Sequence, residues 1–185
     1  MKRSYLIVAA VLVVLAVGWW VYKRNKGADV AIDLVTQFPS AEKRSNGALE
    51  LVFAIQDISI KGETRHCIYM HPTSRMTYKI TVPHDGWFRA WLGIKEEAWD
   101  KQSDGVLFRI GVADGREYDE VVSQHVDPAN VPGDRRWIPV TADLSAYAGQ
   151  QVDLIFNTNS SVPGHGDNPA WDFAVIGDPA IIIKR

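Results

Sequence analysis

The chain has 185 residues, 46% hydrophobic and 23% charged, with a net charge of −2. That is enough for one globular domain plus an appendage, and the charge argues against a protein that grips nucleic acid through its phosphates. Five histidines and one cysteine, Cys67, exclude an intrachain disulfide and a Cys/His zinc spacing.

Lys2 and Arg3 precede an uncharged, mostly apolar run, Tyr5 to Tyr22, and Lys23, Arg24 and Lys26 follow it. A helix of that length spans about 27 Å, close to the hydrocarbon thickness of a bilayer, so residues 5–22 read as one transmembrane helix. Trp19, Trp20, Tyr22, Lys23 and Arg24 then sit at the membrane interface, where amphipathic rings and cations collect. A cleaved signal peptide is the competing reading, with Ala16 and Gly18 as the small residues before the cut. The bulky Trp19-Trp20 pair immediately after them opposes it. No lipobox cysteine follows the run, which argues against a lipoprotein. Positive charge is nearly balanced across the span, so orientation comes from analogy with exported all-β domains. Residues 1–4 are placed in the cytoplasm and the remainder on the periplasmic or extracellular side of a bacterial plasma membrane.

Residues 23–48 turn polar. Val30, Ile32, Leu34, Val35 and Phe38 give a ragged helical pattern that Pro39 ends, which reads as a juxtamembrane helix and linker. It either lies on the membrane or packs on the base of the following domain.

From residue 49 to 185 strand signals succeed one another, separated by Gly, Pro and Asp turns. Leu49, Leu51, Phe53 and Ile55 alternate with more polar neighbours; then come Arg65 to His71, Thr77 to Val82 and Trp87 to Ile94. Val106, Phe108, Ile110 and Val112 lead into Asp114-Gly115, a strong hairpin signal, and Arg116 to Ser123 returns. A strand from Trp137 meets a turn at Asp143 to Gly149, where Asp143 and Ser145 accept from nearby backbone N–H groups and Gly149 takes a positive φ. Val152, Leu154 and Phe156 then share one face of the next strand, and Ala180 to Ile183 form the last. Eight or nine antiparallel strands of this kind predict an all-β sandwich preceded by one transmembrane α-helix.

The runs WIPVTADLSAYAGQQVDLIFNT (Trp137 to Thr158) and AWDFAVIGDPAI (Ala170 to Ile181) resemble the carboxyl-terminal half of galactose-binding-like jelly-roll modules. That broad group includes many bacterial carbohydrate-binding domains. The similarity extends upstream through HPTSRMTYKITVP and SDGVLFRIGVADG, so it covers roughly residues 49 to 183. It implies a jelly roll. Members bind sugars, lipids or proteins, or prop up a neighbouring domain, and the fold alone does not choose among these.

Several constellations bear on chemistry. His66, Cys67 and His71 suggest a metal, but on an extended strand His66 and His71 face opposite ways and Cys67 lies roughly 13 Å from His71. The loop Ser160 to Trp171 holds His165, Asp167 and Asn168, with Asp172 just beyond. Hard oxygen ligands there suit Ca²⁺, and the resemblance implies that related jelly rolls carry a structural calcium; Asp167 and Asp172 are the candidate ligands. Turn chemistry accounts for the same residues. Glu96, Glu97 and Asp100, and Glu117, Asp119 and Glu120, are carboxylate clusters beside Lys95, Lys101 and Arg116, as on solvated faces. No nucleophile elbow, zincin motif or phosphate loop is present, and no cofactor other than that calcium is expected.

The run Trp87 to Gly93 carries the sharpest expectation. Phe88, Ala90 and Leu92 make a core face, which turns Trp87, Arg89 and Trp91 outward as a platform for a protein partner or a sugar. The opposite assignment, with the two Trp in the core, remains open at this point. The sequence therefore predicts a non-catalytic, membrane-anchored accessory subunit that contacts other membrane-protein subunits and lipid. The alternative is a membrane-tethered carbohydrate-binding module.

Overall fold

A computed structural model describes residues 29–160 and 168–183. The anticipated span over 5–22, with its interface residues Trp19, Trp20, Tyr22, Lys23 and Arg24, lies outside them. Among the described residues no helix is long and apolar enough to cross a membrane.

Eleven strands form two sheets. In chain order they are β1 (Asp29–Asp33), β2 (Glu42–Ser45), β3 (Phe53–Ile60), β4 (Glu63–Met70), β5 (Ser74–Thr81), β6 (Gly86–Ile94), β7 (Val106–Ala113), β8 (Tyr118–Val126), β9 (Ile138–Asp143), β10 (Gln151–Asn159) and β11 (Ala174–Ile183). One sheet has the order β3-β4-β11-β6-β9, with β1 also paired to β11, and the other has β2-β5-β10-β7-β8. Neighbours along both paths run antiparallel. The chain changes sheet repeatedly, as in a jelly roll.

Alternation places the core between the sheets. Met76, Tyr78 and Ile80 on β5, Phe108 and Ile110 on β7, and Leu154 and Phe156 on β10 face Phe88, Ala90 and Leu92 on β6. Phe156 meets both Tyr78 and Phe88 edge to face, each at 5.6 Å between ring centroids. These aromatic contacts tie one sheet to the other.

Three expectations are corrected here. Among the described residues of the linker, from Asp29 on, no α-helix forms: Asp33 Oδ1 accepts from Val35 N at 2.9 Å and Thr36 N at 3.3 Å, an Asx-type turn that ends β1 and separates it from β2. Leu34 and Val35 drop into the end of the core, where Tyr78 Oη donates to Leu34 O at 2.9 Å and Leu34 N to Pro179 O at 3.1 Å. The sandwich therefore begins near Val30 and not at 49, and β1 and β2 raise the strand number above nine. Leu49–Val52 is a single helical turn, leaving Leu49 and Leu51 exposed, so the alternation starts only at Phe53.

The turn after β9 forms as its residues dictate. Asp143 Oδ1 accepts from Ser145 N at 2.9 Å, Leu144 is buried, and Gly149 has φ 75°. Because Phe156 links both sheets, Phe156→Ala is expected to lower the unfolding free energy by about 3–5 kcal/mol. Denaturant unfolding followed by intrinsic fluorescence checks this; a loss under about 1 kcal/mol would mean the site collapses around the cavity.

Candidate functional site

Strand β6 carries the platform with the anticipated alternation. Phe88, Ala90 and Leu92 are fully buried, while Trp87, Arg89 and Trp91 are half-buried on the outer face of the six-stranded sheet. Trp91 is not left bare. The Arg65 guanidinium stacks 3.7 Å from its ring centroid and that of Arg89 lies at 5.0 Å. A bulge in β11 holds Arg65 there: Asp178, at φ 43°, accepts from Arg65 Nη1 at 2.8 Å and from His66 N at 3.2 Å.

Beyond Trp91 this outer face bears a second apolar cluster of Ile60, Cys67, Trp99, Trp137 and Val175. Trp137 comes from a loop, lies against Gly93 and Gly177, and donates Nε1–H to Glu63 O at 2.8 Å. A Cβ on Gly93 would stand 3.2 Å from the indole and 2.7 Å from Ile60 Cδ1, so the two glycines make the seat. Trp99 donates its Nε1–H to Ile94 O at 2.9 Å. Cys67 is enclosed, and burial pushes its thiol up to about 12. Sequence reasoning missed this cluster because Trp99 and Trp137 stand outside any strand period.

At the rim of the same sheet four rings form a row. Tyr69 and His71 lie 6.4 Å apart, His71 and Phe173 6.3 Å, and Phe173 and Trp171 5.7 Å between centroids. Lys95 Nζ sits 4.7 Å over Tyr69, and Lys101 Nζ 5.1 Å over Trp171. Burial first, then the Glu97 carboxylate, raises the Tyr69 phenol to about 12. Trp171 ends the row with 41% of its surface exposed and φ 67°. This is a conformation that bulky side chains rarely adopt. The result is an aromatic edge with two cations, suited to stacking on a ring-shaped ligand. A signal for it existed in Trp171 and Phe173, though their pairing with β4 is a matter of register.

The remaining candidates are dispersed. His66 Nδ1 meets Asp57 Oδ1 at 2.6 Å, and His71 Nδ1 meets Pro72 O at 2.8 Å. Asp172 is buried and accepts from Ser103 Oγ at 2.8 Å; Asp167 lies outside the described residues. Among the described residues no group of three or more His, Cys, Asp or Glu stands ready to hold a metal. The carboxylate clusters each have separate partners: Lys61 N for Glu96, Arg135 for Asp100, the Tyr147 hydroxyl for Asp119 and Arg109 for Glu120.

No family model matches the sequence. An uncharacterised protein of Archaeoglobus fulgidus is 30% identical over 131 residues, 67% of this chain and 32% of that protein. The chain thus spans about a third of that relative's length. Among solved structures, the CBM51-2 and INT domains of Clostridium perfringens ZmpB match 85% of this chain and 30% of theirs, at 20% identity and a TM-score of 0.50. The CBM51 of a Clostridium perfringens GH95 protein, in complex with methyl-galactose, matches 84% of this chain and 92% of its own, at 16% identity and a TM-score of 0.49. The likeness to the ZmpB domains is one of fold, an antiparallel β-sandwich of the jelly-roll kind.

Trp137 and Cys67 give a joint test of the second cluster. Trp137→Ala is expected to cost about 3–5 kcal/mol of stability. Cys67 in the native wild-type chain should resist a disulfide-exchange reagent at pH 8 and react at once on unfolding. Fast labelling of the native wild type would show that the cluster opens readily.

Proposed function

We propose that this chain is a non-catalytic carbohydrate-binding module, and that the Tyr69–His71–Phe173–Trp171 edge is its sugar-stacking surface. The carrying observation is that edge, in which four rings stand in a row with two lysines alongside. Aromatic faces take the apolar side of a pyranose, and the cations and the neighbouring Glu97 supply polar contacts for hydroxyls. The fold shared with the CBM51-2 domain of ZmpB supports the same reading. It backs the sugar-binding alternative better than an accessory subunit held by membrane-protein partners, for which the relatives offer nothing.

The apolar run over 5–22 belongs to the proposal as a tether that holds the module at the exported face of a plasma membrane. Alkaline extraction of membranes should leave the full chain in the pellet; release into the supernatant would remove the tether.

Binding of the full chain to an array of neutral and acidic oligosaccharides is the direct measurement. Trp171→Ala should lower affinity for the best ligand at least about tenfold, the loss typical of a central aromatic contact, with an unchanged melting temperature. Unaltered binding would clear the edge of this role. A blank array would reject the module itself.

A further inference from the structure

The outer face of the five-stranded sheet carries a recognition surface of another kind. Register sets Arg44 opposite Arg75, Arg75 opposite Asn157, and Asn157 opposite Arg109. Three arginines therefore cross the sheet in one row, their backbone positions separated by about 5 Å and about 10 Å at strand spacing. The two outer ones already hold carboxylates: Arg44 Nε and Nη2 reach Glu42 Oε1 at 2.7 and 2.6 Å, and Arg109 pairs with Glu120. Arg75 between them is exposed and gives its Nε–H to the neutral Asn157 Oδ1 at 2.8 Å. Among the described residues it has no carboxylate partner.

Beside the row Tyr118 lies flat on the sheet. A Cβ on Gly111 would fall 2.4 Å from the Tyr118 ring carbons and 2.5 Å from its hydroxyl, so the ring rests where only glycine leaves room. Tyr118 keeps 43% of its surface exposed. Burial and Glu120 raise its phenol above the ordinary value, and the charges of Arg109 and Arg75 pull it back. At the other end of the row a cavity of about 290 Å³ is lined by Arg44, Asn46, Thr73, Arg75, Asn157 and Asn159.

We propose that this face binds an acidic polysaccharide built of hexuronate residues, with a ligand carboxylate forked on Arg75 and a pyranose face on Tyr118. The planar guanidinium matches a carboxylate through two parallel N–H···O bonds. Arg44 and Arg109 already sit in ion pairs of that chemistry, and their exposed partners contribute little and exchange readily. A net charge of −2 gives no general attraction for polyanions, so recognition rests on these contacts. The face shares no residue with the Trp171 edge.

Gel retardation of the full chain by polygalacturonate, alginate and hyaluronan tests the assignment, with methyl-esterified polygalacturonate and dextran sulfate as controls. Retardation is expected with at least one uronate polymer and not with the ester. Arg75→Gln and Tyr118→Ala should each weaken it at least tenfold. Arg75→Lys should also weaken it, because the charge stays and the fork is lost. Trp171→Ala should leave it unchanged, which separates this face from the rim. The assignment is overturned if no uronate polymer retards the chain, if the ester retards it equally, if dextran sulfate alone does so, or if Arg75→Gln or Arg75→Lys binds like wild type.

Discussion

The outer face of the six-stranded sheet is closed by one indole. Trp137 lies close against β6 and β11 where Gly93 and Gly177 present no side chain beneath it, and its N–H anchors it to Glu63 O at 2.8 Å. Ile60, Cys67, Trp99 and Val175 collect around it. The sheet is thus buried on both faces over part of its area, like the central strands of a layered domain, although its strands are antiparallel. The tip of the β3–β4 hairpin is drawn in as well, since Ile60 packs toward Gly93 and Lys61 N donates to Glu96.

That closure decides where recognition can occur. Trp91 stands at the margin of the second cluster with Arg65 stacked on it, so much of the β6 platform serves to hold the sheet's cover in place. A guanidinium over an indole is worth roughly 0.5–2 kcal/mol, and Asp178 fixes its direction. Among the described residues, what stays open is the rim at Trp171 and the outer face of the other sheet, where Arg75 and Tyr118 are exposed. Both surfaces pair flat aromatic area with fixed polar groups.

The sequence made the inward faces legible and little else about the sites. Period-two alternation on β5, β6, β7 and β10 identifies Tyr78, Phe88, Phe108 and Phe156 as core, and burial agrees. The linker misled because Val30, Ile32, Leu34 and Val35 fit a helical spacing, whereas the Asp33 carboxylate captures two N–H groups and breaks the run into strand and turn. The second cluster was out of reach because Trp99 and Trp137 sit in loops, and a loop residue's partner depends on where the chain returns. The arginine row was hidden for a related reason: Arg44, Arg75 and Arg109 are far apart in sequence and become neighbours only through the register of β2, β5, β10 and β7.

The seven tryptophans fall under different rules, and the contrast bears on function. Trp99 and Trp137 are buried and give their N–H groups to backbone carbonyls, so their area and polar atoms are both accounted for within the fold. Trp171 is opposite in each respect. Its backbone is held at φ 67° while 41% of the residue faces water, a conformation that costs about 1–3 kcal/mol for a bulky side chain. Contact with the edge of Phe173, roughly 0.5–1.5 kcal/mol, and with the Lys101 ammonium, roughly 0.5–1 kcal/mol, offsets a cost of about that size. Backbone preference alone would favour a glycine or asparagine at such a position. A large indole kept there, beside three further rings, offers the open face on which the proposed sugar would stack.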